Sequence, residues 1–156
     1  MFYKNKKIII VYIFFLVSWL GFIFSNSLST GSKSEEQSNK IVDISQKIVS
    51  YFDEDATVSP SAVRTSAHFL EFFILGLIYS FGAFFYSKNK MMSVFSVLSV
   101  SLFTAVFDET LQLGVEGRAA EVIDVWIDFS GSLLSTLLFF ATLYMLKVKK
   151  NKKVTK

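Results

Sequence analysis

Four apolar stretches govern what this chain can fold into. Ile8–Phe24, Phe69–Phe85 and Met91–Phe107 each run for 17 residues, and Ile127–Leu146 runs for 20. The first and third carry no charge; the second is interrupted only by Glu71 and the fourth only by Asp128. A membrane-spanning helix needs about 17–25 mainly apolar residues, and all four stretches meet that length. Many of their residues are Phe, Ile and Val, which favour strands in water. In lipid each segment must satisfy its own backbone polar groups, so the helix wins. Composition agrees. Hydrophobic residues make up 52% of 156 residues, with 18 Phe, more than a soluble core of that size can hide. The chain contains no Cys, which excludes disulfides, thiol chemistry and a cysteine-linked lipid anchor.

The placement of Lys and Arg orients these spans. Lys4, Lys6 and Lys7 precede the first, Lys88 and Lys90 link the second and third, and Lys147, Lys149, Lys150, Lys152, Lys153 and Lys156 follow the fourth. Lys33, Lys40, Lys47, Arg64 and Arg118 fall on the opposite side. By the positive-inside rule both termini lie in the cytoplasm. None of the 13 acids lies in an expected cytoplasmic segment. The basic residues are not interleaved with stacking aromatics on a soluble face, so nucleic acid is not an expected partner; membrane lipids are. The basic start followed by an apolar run has the outline of a secretory signal. The run is longer than the usual apolar region of about 7–15 residues, so a retained first helix is expected.

Two segments then face outward, 25–67 and 108–124. Ser25–Ser32 reads as a loop by composition. Ser34 with Gln37 forms a capping-box pattern, and Ile41, Ile44, Ile48 and Phe52 follow at helical spacing. An amphipathic helix is expected here, lying on the outer membrane surface or packed over the bundle. Asp53-Glu54-Asp55 closes it, and Pro60 breaks the chain before the second span. The expected fold is therefore all-α: a single polytopic membrane domain over 1–156, with four transmembrane helices and an outer amphipathic helix between the first and second.

The polar residues gather at the outer helix ends. Arg64, His68 and Glu71, spaced four and three apart, share one helical face. Asp108, Glu109 and Gln112 close the third span, with Glu109 and Gln112 on one face. Asp124 and Asp128 open the fourth, followed by Gly131, which allows close helix approach. Arg118 sits on the loop between the third and fourth. Ionisable groups near a membrane interior belong inside the bundle with partners. His68, Glu71 and Glu109 are candidate proton-handling residues. Arg64, Gln112, Arg118, Asp124 and Asp128 are candidate substrate-binding residues. Arg118 is suited to bind an anion in two-pronged fashion, or equally to neutralise Glu109, Glu121 or Asp124. Gln112 is expected to complete hydrogen bonds between helices. The spacing matches no dedicated metal motif, so neither metal nor cofactor is expected. No glycine-framed nucleophile and no phosphate-cradling glycine loop is present.

Taken together, these motifs resemble the VanZ-like family along nearly the whole chain. The carriers are Trp19, the Ser-rich Ser25–Ser32, Arg64 with His68-Phe69-Leu70-Glu71, Asp108-Glu109-Thr110-Leu111-Gln112, Gly117-Arg118, Asp124 and Gly131. Two positions depart from the family pattern: Asp128 stands where a polar amide is usual, and Val115-Glu116 stands where Pro is usual. The resemblance implies a bacterial cell-envelope role and, for some members, low-level resistance to glycopeptide antibiotics such as teicoplanin. It supplies no accepted reaction. Two functions follow as expectations. One is an intramembrane site acting on an envelope or lipid-linked substrate at the outer leaflet. The other is a non-catalytic envelope protein that binds or shields a surface component, with a cell-wall component as partner. Inverted repeats and midplane charges, the signs of a transporter, are absent from the sequence.

Overall fold

The computed structural model describes residues 5–87 and 89–154; Lys4, Lys88 and Lys156 lie outside them, as do the side chains of Lys152 and Lys153. Five helices follow in order: α1 Lys6–Ser27, α2 Gly31–Phe52, α3 Pro60–Tyr86, α4 Lys90–Gln112 and α5 Val122–Val154. No strand occurs among the described residues. Four of the five, all but α2, are long and apolar enough to cross a membrane.

Local chemistry explains the helix starts. The Asn5 side chain accepts a hydrogen bond from the Lys7 amide at 3.1 Å, and Asn89 accepts from the amides of Met91 and Met92. Ser59 caps α3 by accepting from the Ala62 amide at 3.1 Å, with Pro60 in the first turn. There the missing proline N–H costs nothing. The expected break at Pro60 is thus the true start of α3, nine residues ahead of the apolar run. Arg64 and His68 consequently ride on the helix itself.

Two local expectations are corrected. Ser25–Ser27 are helical, so the loop shrinks to 28–30. Asn26 and Ser27 are held in α1 by side-chain bonds to α3 and α4 that outweigh their turn preference. The capping box at Ser34 does not form, because α2 already begins at Gly31. That start is fixed from outside: the Gly31 amide donates to the Glu116 carbonyl at 3.0 Å.

The chain direction puts two sets of ends together. The ends of α1 and α4 and the starts of α3 and α5 form a polar end. The starts of α1 and α4 and the ends of α3 and α5, with Lys6, Lys7, Lys90, Lys147, Lys149 and Lys150, form a basic end. α3 and α5 are the most closely associated pair, and they run parallel. Their partners lie 60 residues apart: Arg64 with Asp124, His68 with Asp128, and Phe72 with Ser132, whose hydroxyl donates to the Phe72 carbonyl at 2.9 Å. Glycine allows the approach. A Cβ on Gly131 would collide with the Phe69 carbonyl, and one on Gly76 with Ser132 and Ser135. Small residues at such a seam let helix backbones touch.

The bundle is apolar outside and mixed inside. Phe14, Phe15, Phe95, Phe103 and Met91 are exposed, while Ser80, Ser93, Ser101, Ser132, Ser135 and Thr136 are buried. The apolar core is small: Ile23, Phe72, Leu75 and Ala105, flanked by Leu16, Trp19, Leu20, Phe24, Tyr79 and Val125. Hydrocarbon around the bundle reverses the usual burial rule, because exposed Phe then costs nothing and polar groups seek each other. α1 contributes Ile23 to this core and contacts α3 and α4. α2 rests against α3, with Ser34, Ser38, Val42, Gln46 and Val49 half-buried on one face, while Ile41, Ile44, Ile48 and Phe52 remain exposed.

Gly131→Leu is expected to force α3 and α5 apart and to destabilise the protein by about 1–3 kcal/mol. Gly21→Leu, at a position where an added Cβ meets nothing within 4 Å, is expected to be neutral. Thermal unfolding in detergent, followed by Trp fluorescence, compares the two.

Candidate functional site

At the polar end four helices, one more than the sequence patterns suggested, supply polar side chains. α3 presents Arg64, His68 and Glu71 along one face, α4 presents Asp108, Glu109 and Gln112, and α5 presents Asp124 and Asp128. α1 adds Asn26 and Ser27. These two were missed because Ser and Asn beside a Ser-rich stretch read as loop. Their only sequence signal is the register of α1, which places Ile23 and Ser27 on its inward face.

The closed half of the site lies between α3, α4 and α5. Asp108, Gln112 and Asp128 are fully buried, and Glu109 and Asp124 nearly so. Ser27 Oγ donates to Asp108 Oδ1 at 2.6 Å. Gln112 Nε2 lies 3.4 Å from Asp108 Oδ2 and 3.3 Å from Glu109 Oε2. The Glu121 amide donates to Glu109 Oε1 at 2.6 Å. Asp124 pairs with Arg64, Oδ2 to Nη2, at 3.3 Å. His68 Nδ1 stands 3.5 Å from Asp128 Oδ1. That is a charge contact and too long for a good hydrogen bond. His68 Nδ1 and both Asp128 oxygens have no hydrogen-bond partner.

Arg118 closes the site from the loop, and its position comes from a glycine turn. Gly117 adopts φ 73°, a left-handed conformation, and packs against Gly31 so tightly that a Cβ on Gly31 would collide with the Gly117 carbonyl. The turn directs Arg118 back onto α1. Its Nη2 donates to the Asn26 carbonyl at 2.9 Å, Nε to the Ser29 carbonyl at 3.1 Å, and Nη1 reaches Gln112 Oε1 at 3.5 Å. It makes no salt bridge with Glu109, Glu121 or Asp124; Arg64 takes Asp124 instead. Burial, and then Arg64, draw the Arg118 guanidinium below its ordinary value, while Asp108, Glu109 and Asp124 oppose this. Arg118 therefore ties α1 to α4 and keeps its charge near the neighbouring space.

That space is the open half. A cavity of about 510 Å3 lies between α1, α2 and α3, lined among others by Asn26, Gln37, Lys40, Ile41, Arg64, His68, Glu71 and Arg118. Glu71 Oε1 accepts from Asn26 Nδ2 at 2.7 Å, and the Glu71 carbonyl accepts from Trp19 Nε1 at 3.0 Å. The expected site residues thus divide. Arg64, His68, Glu71 and Arg118 line the cavity, whereas Glu109, Gln112, Asp124 and Asp128 do not. His68 belongs to both halves, touching Asp128 on one side and the cavity on the other.

Three cations and one carboxylate on the wall favour an anionic ligand. The imidazole and Glu71 carboxylate beside it are able to exchange protons with that ligand. Arg118→Lys keeps the charge but loses the planar fork that reaches two carbonyls and an amide. It is expected to lower stability by about 1–2 kcal/mol, measurable as a lower thermal midpoint in detergent.

No curated protein and no solved structure matches this chain. The family model described as VanZ/LLP1 matches residues 11–145, from the first helix well into the last. The match takes in every side chain of the polar end, and the chain belongs to the VanZ/LLP1 family.

Proposed function

We propose that this protein is a multi-pass envelope protein of the bacterial cell membrane, whose polar end faces outward and takes the anionic head of a lipid-linked envelope component. In this reading it lowers susceptibility to glycopeptide antibiotics such as teicoplanin, as the family resemblance implies. The observation that carries the reading is the cavity wall, where Arg64, Arg118 and Lys40 line the same space as His68 and Glu71, Lys40 while paired with Glu36 at 2.7 Å. Guanidinium groups pair with phosphate or carboxylate in two-pronged fashion, and Arg118 is pre-positioned by its backbone contacts. Such preorganisation lowers the cost of binding. His68 and Glu71 then handle protons on the bound group, while Glu109, Gln112, Asp124 and Asp128 hold the wall in place from behind.

The test is the teicoplanin susceptibility of cells making each variant. His68→Ala, Glu71→Gln and Arg118→Ala are expected to return cells to the susceptibility of those lacking the protein, compared at equal amounts in the membrane by immunoblot. Full protection by all three variants sinks the reading.

Orientation has its own test. Reporter fusions at either end of the chain are expected to report the cytoplasm, in line with the basic flanks. A report from outside the cell places the cavity on the wrong face.

A second reading is favoured by α2, whose Ile44, Ile48, Tyr51 and Phe52 are uncovered. Here the protein shields a surface component without chemistry. Ile44→Glu with Ile48→Glu then abolishes protection, whereas Glu71→Gln is mild.

A further inference from the structure

The closed half of the site has more negative groups than its cations answer. Arg64 is engaged by Asp124, and Arg118 is turned toward backbone carbonyls and Gln112 and pairs directly with neither Asp108 nor Asp128. Asp108 and Asp128 remain, both fully buried, with His68 clustered beside them. A buried carboxylate without hydrogen bonds is costly, and native proteins seldom leave one. Asp128 has two orphaned oxygens, and the facing His68 Nδ1 is orphaned as well. Three ligand atoms, one each from His68, Asp108 and Asp128, lie within 4.8 Å of one another.

We propose that His68, Asp108 and Asp128 hold a divalent cation of the Mn2+ or Zn2+ class behind the cavity. Three atoms no more than 4.8 Å apart share a point at most about 2.8 Å from each. Side-chain shifts of under about 1 Å bring them to the roughly 2.1 Å of a first-row metal bond. An imidazole with two carboxylates suits Mn2+, Fe2+ or Zn2+, and disfavours Cu(I), which prefers thiolates and thioethers. Asp108 is already oriented, with Ser27 on one oxygen and Gln112 near the other. Such supporting hydrogen bonds fix metal-binding carboxylates. The three ligands come from three helices, α3, α4 and α5, so no short spacing motif announces them. Three protein ligands leave further positions open on the ion. His68 lines the cavity, so an open position on that side meets the anionic group of the reading above. The inference depends on that reading only for this last contact.

The experiment uses the full chain, purified in detergent, stripped with a chelator and titrated with MnCl2 while the electron paramagnetic resonance of free Mn2+ is followed. The wild-type protein is expected to take up one Mn2+ per chain, displaceable by Zn2+. Asp128→Asn and His68→Gln are expected to bind at least about tenfold more weakly. Ser27→Ala, which removes a support of Asp108 but none of the three ligands, is expected to weaken binding less while leaving one site per chain. As a readout independent of any variant, Mn2+ is expected to raise the thermal midpoint of the wild-type chain. Failure of the wild-type chain to bind either ion at one equivalent overturns the proposal, as does unchanged affinity in both Asp128→Asn and His68→Gln. No envelope substrate is present in this titration. A chain that protects cells but binds no ion sinks the metal site alone, and one that binds the ion but gives no protection sinks only the functional reading.

Discussion

The close parallel contact of α3 and α5 is what the rest of the structure depends on. Gly131 sets its backbone against the Phe69 carbonyl, and Gly76 does the same one level deeper against Ser132 and Ser135. With the backbones that near, the two helices advance together. Toward the polar end residues of α3 meet ones 60 positions later, so Arg64 faces Asp124 and His68 faces Asp128. A larger residue at the contact would shift every pair above it. The electrostatics of the polar end therefore rest on a steric fact in the seam.

The seam is itself a consequence of the solvent. In hydrocarbon, Leu and Phe gain nothing by turning inward, so helix association has to come from close packing and from polar groups meeting one another. Ser132 donating to the Phe72 carbonyl and Ser80 to Thr136 are such contacts. The same logic, carried to the polar end, explains why five carboxylates can share one region. Asn26, Ser27, the Glu121 amide and Arg64 each answer one oxygen, and Gln112 reaches one on Asp108 and one on Glu109. Asp128 is the exception, and its two orphaned oxygens mark the place where the structure lacks an answer of its own.

The site's division of labour follows from the loop. The left-handed Gly117 turn docks on Gly31, and Arg118 is thereby returned to α1. This one arrangement joins the start of α2, the end of α1 and the end of α4, and it separates an open cavity from a closed polar core. His68 stands at the boundary. Its position gives a chemical group access to the cavity on one side and to a buried carboxylate on the other, an arrangement that neither half offers alone.

Much of this was legible in the sequence. Four uncharged or nearly uncharged runs determine four long helices, because lipid leaves the backbone no other way to satisfy itself. Spacings of three and four put Arg64, His68 and Glu71 on one face, as helical geometry requires. Gly131 beside a polar helix end announced a close approach. What spacing alone did not determine was partnership. Whether Arg118 answers an acid or a carbonyl, whether Asn26 is loop or helix, and which carboxylate faces the imidazole all depend on how separate helices are rotated and offset against one another. Residues from 26 to 128 gather at one end of the bundle only after that packing is set. A pattern along one helix carries no information about the helix across from it, so the tertiary structure alone decided which charges are shared, which are answered and which are left waiting.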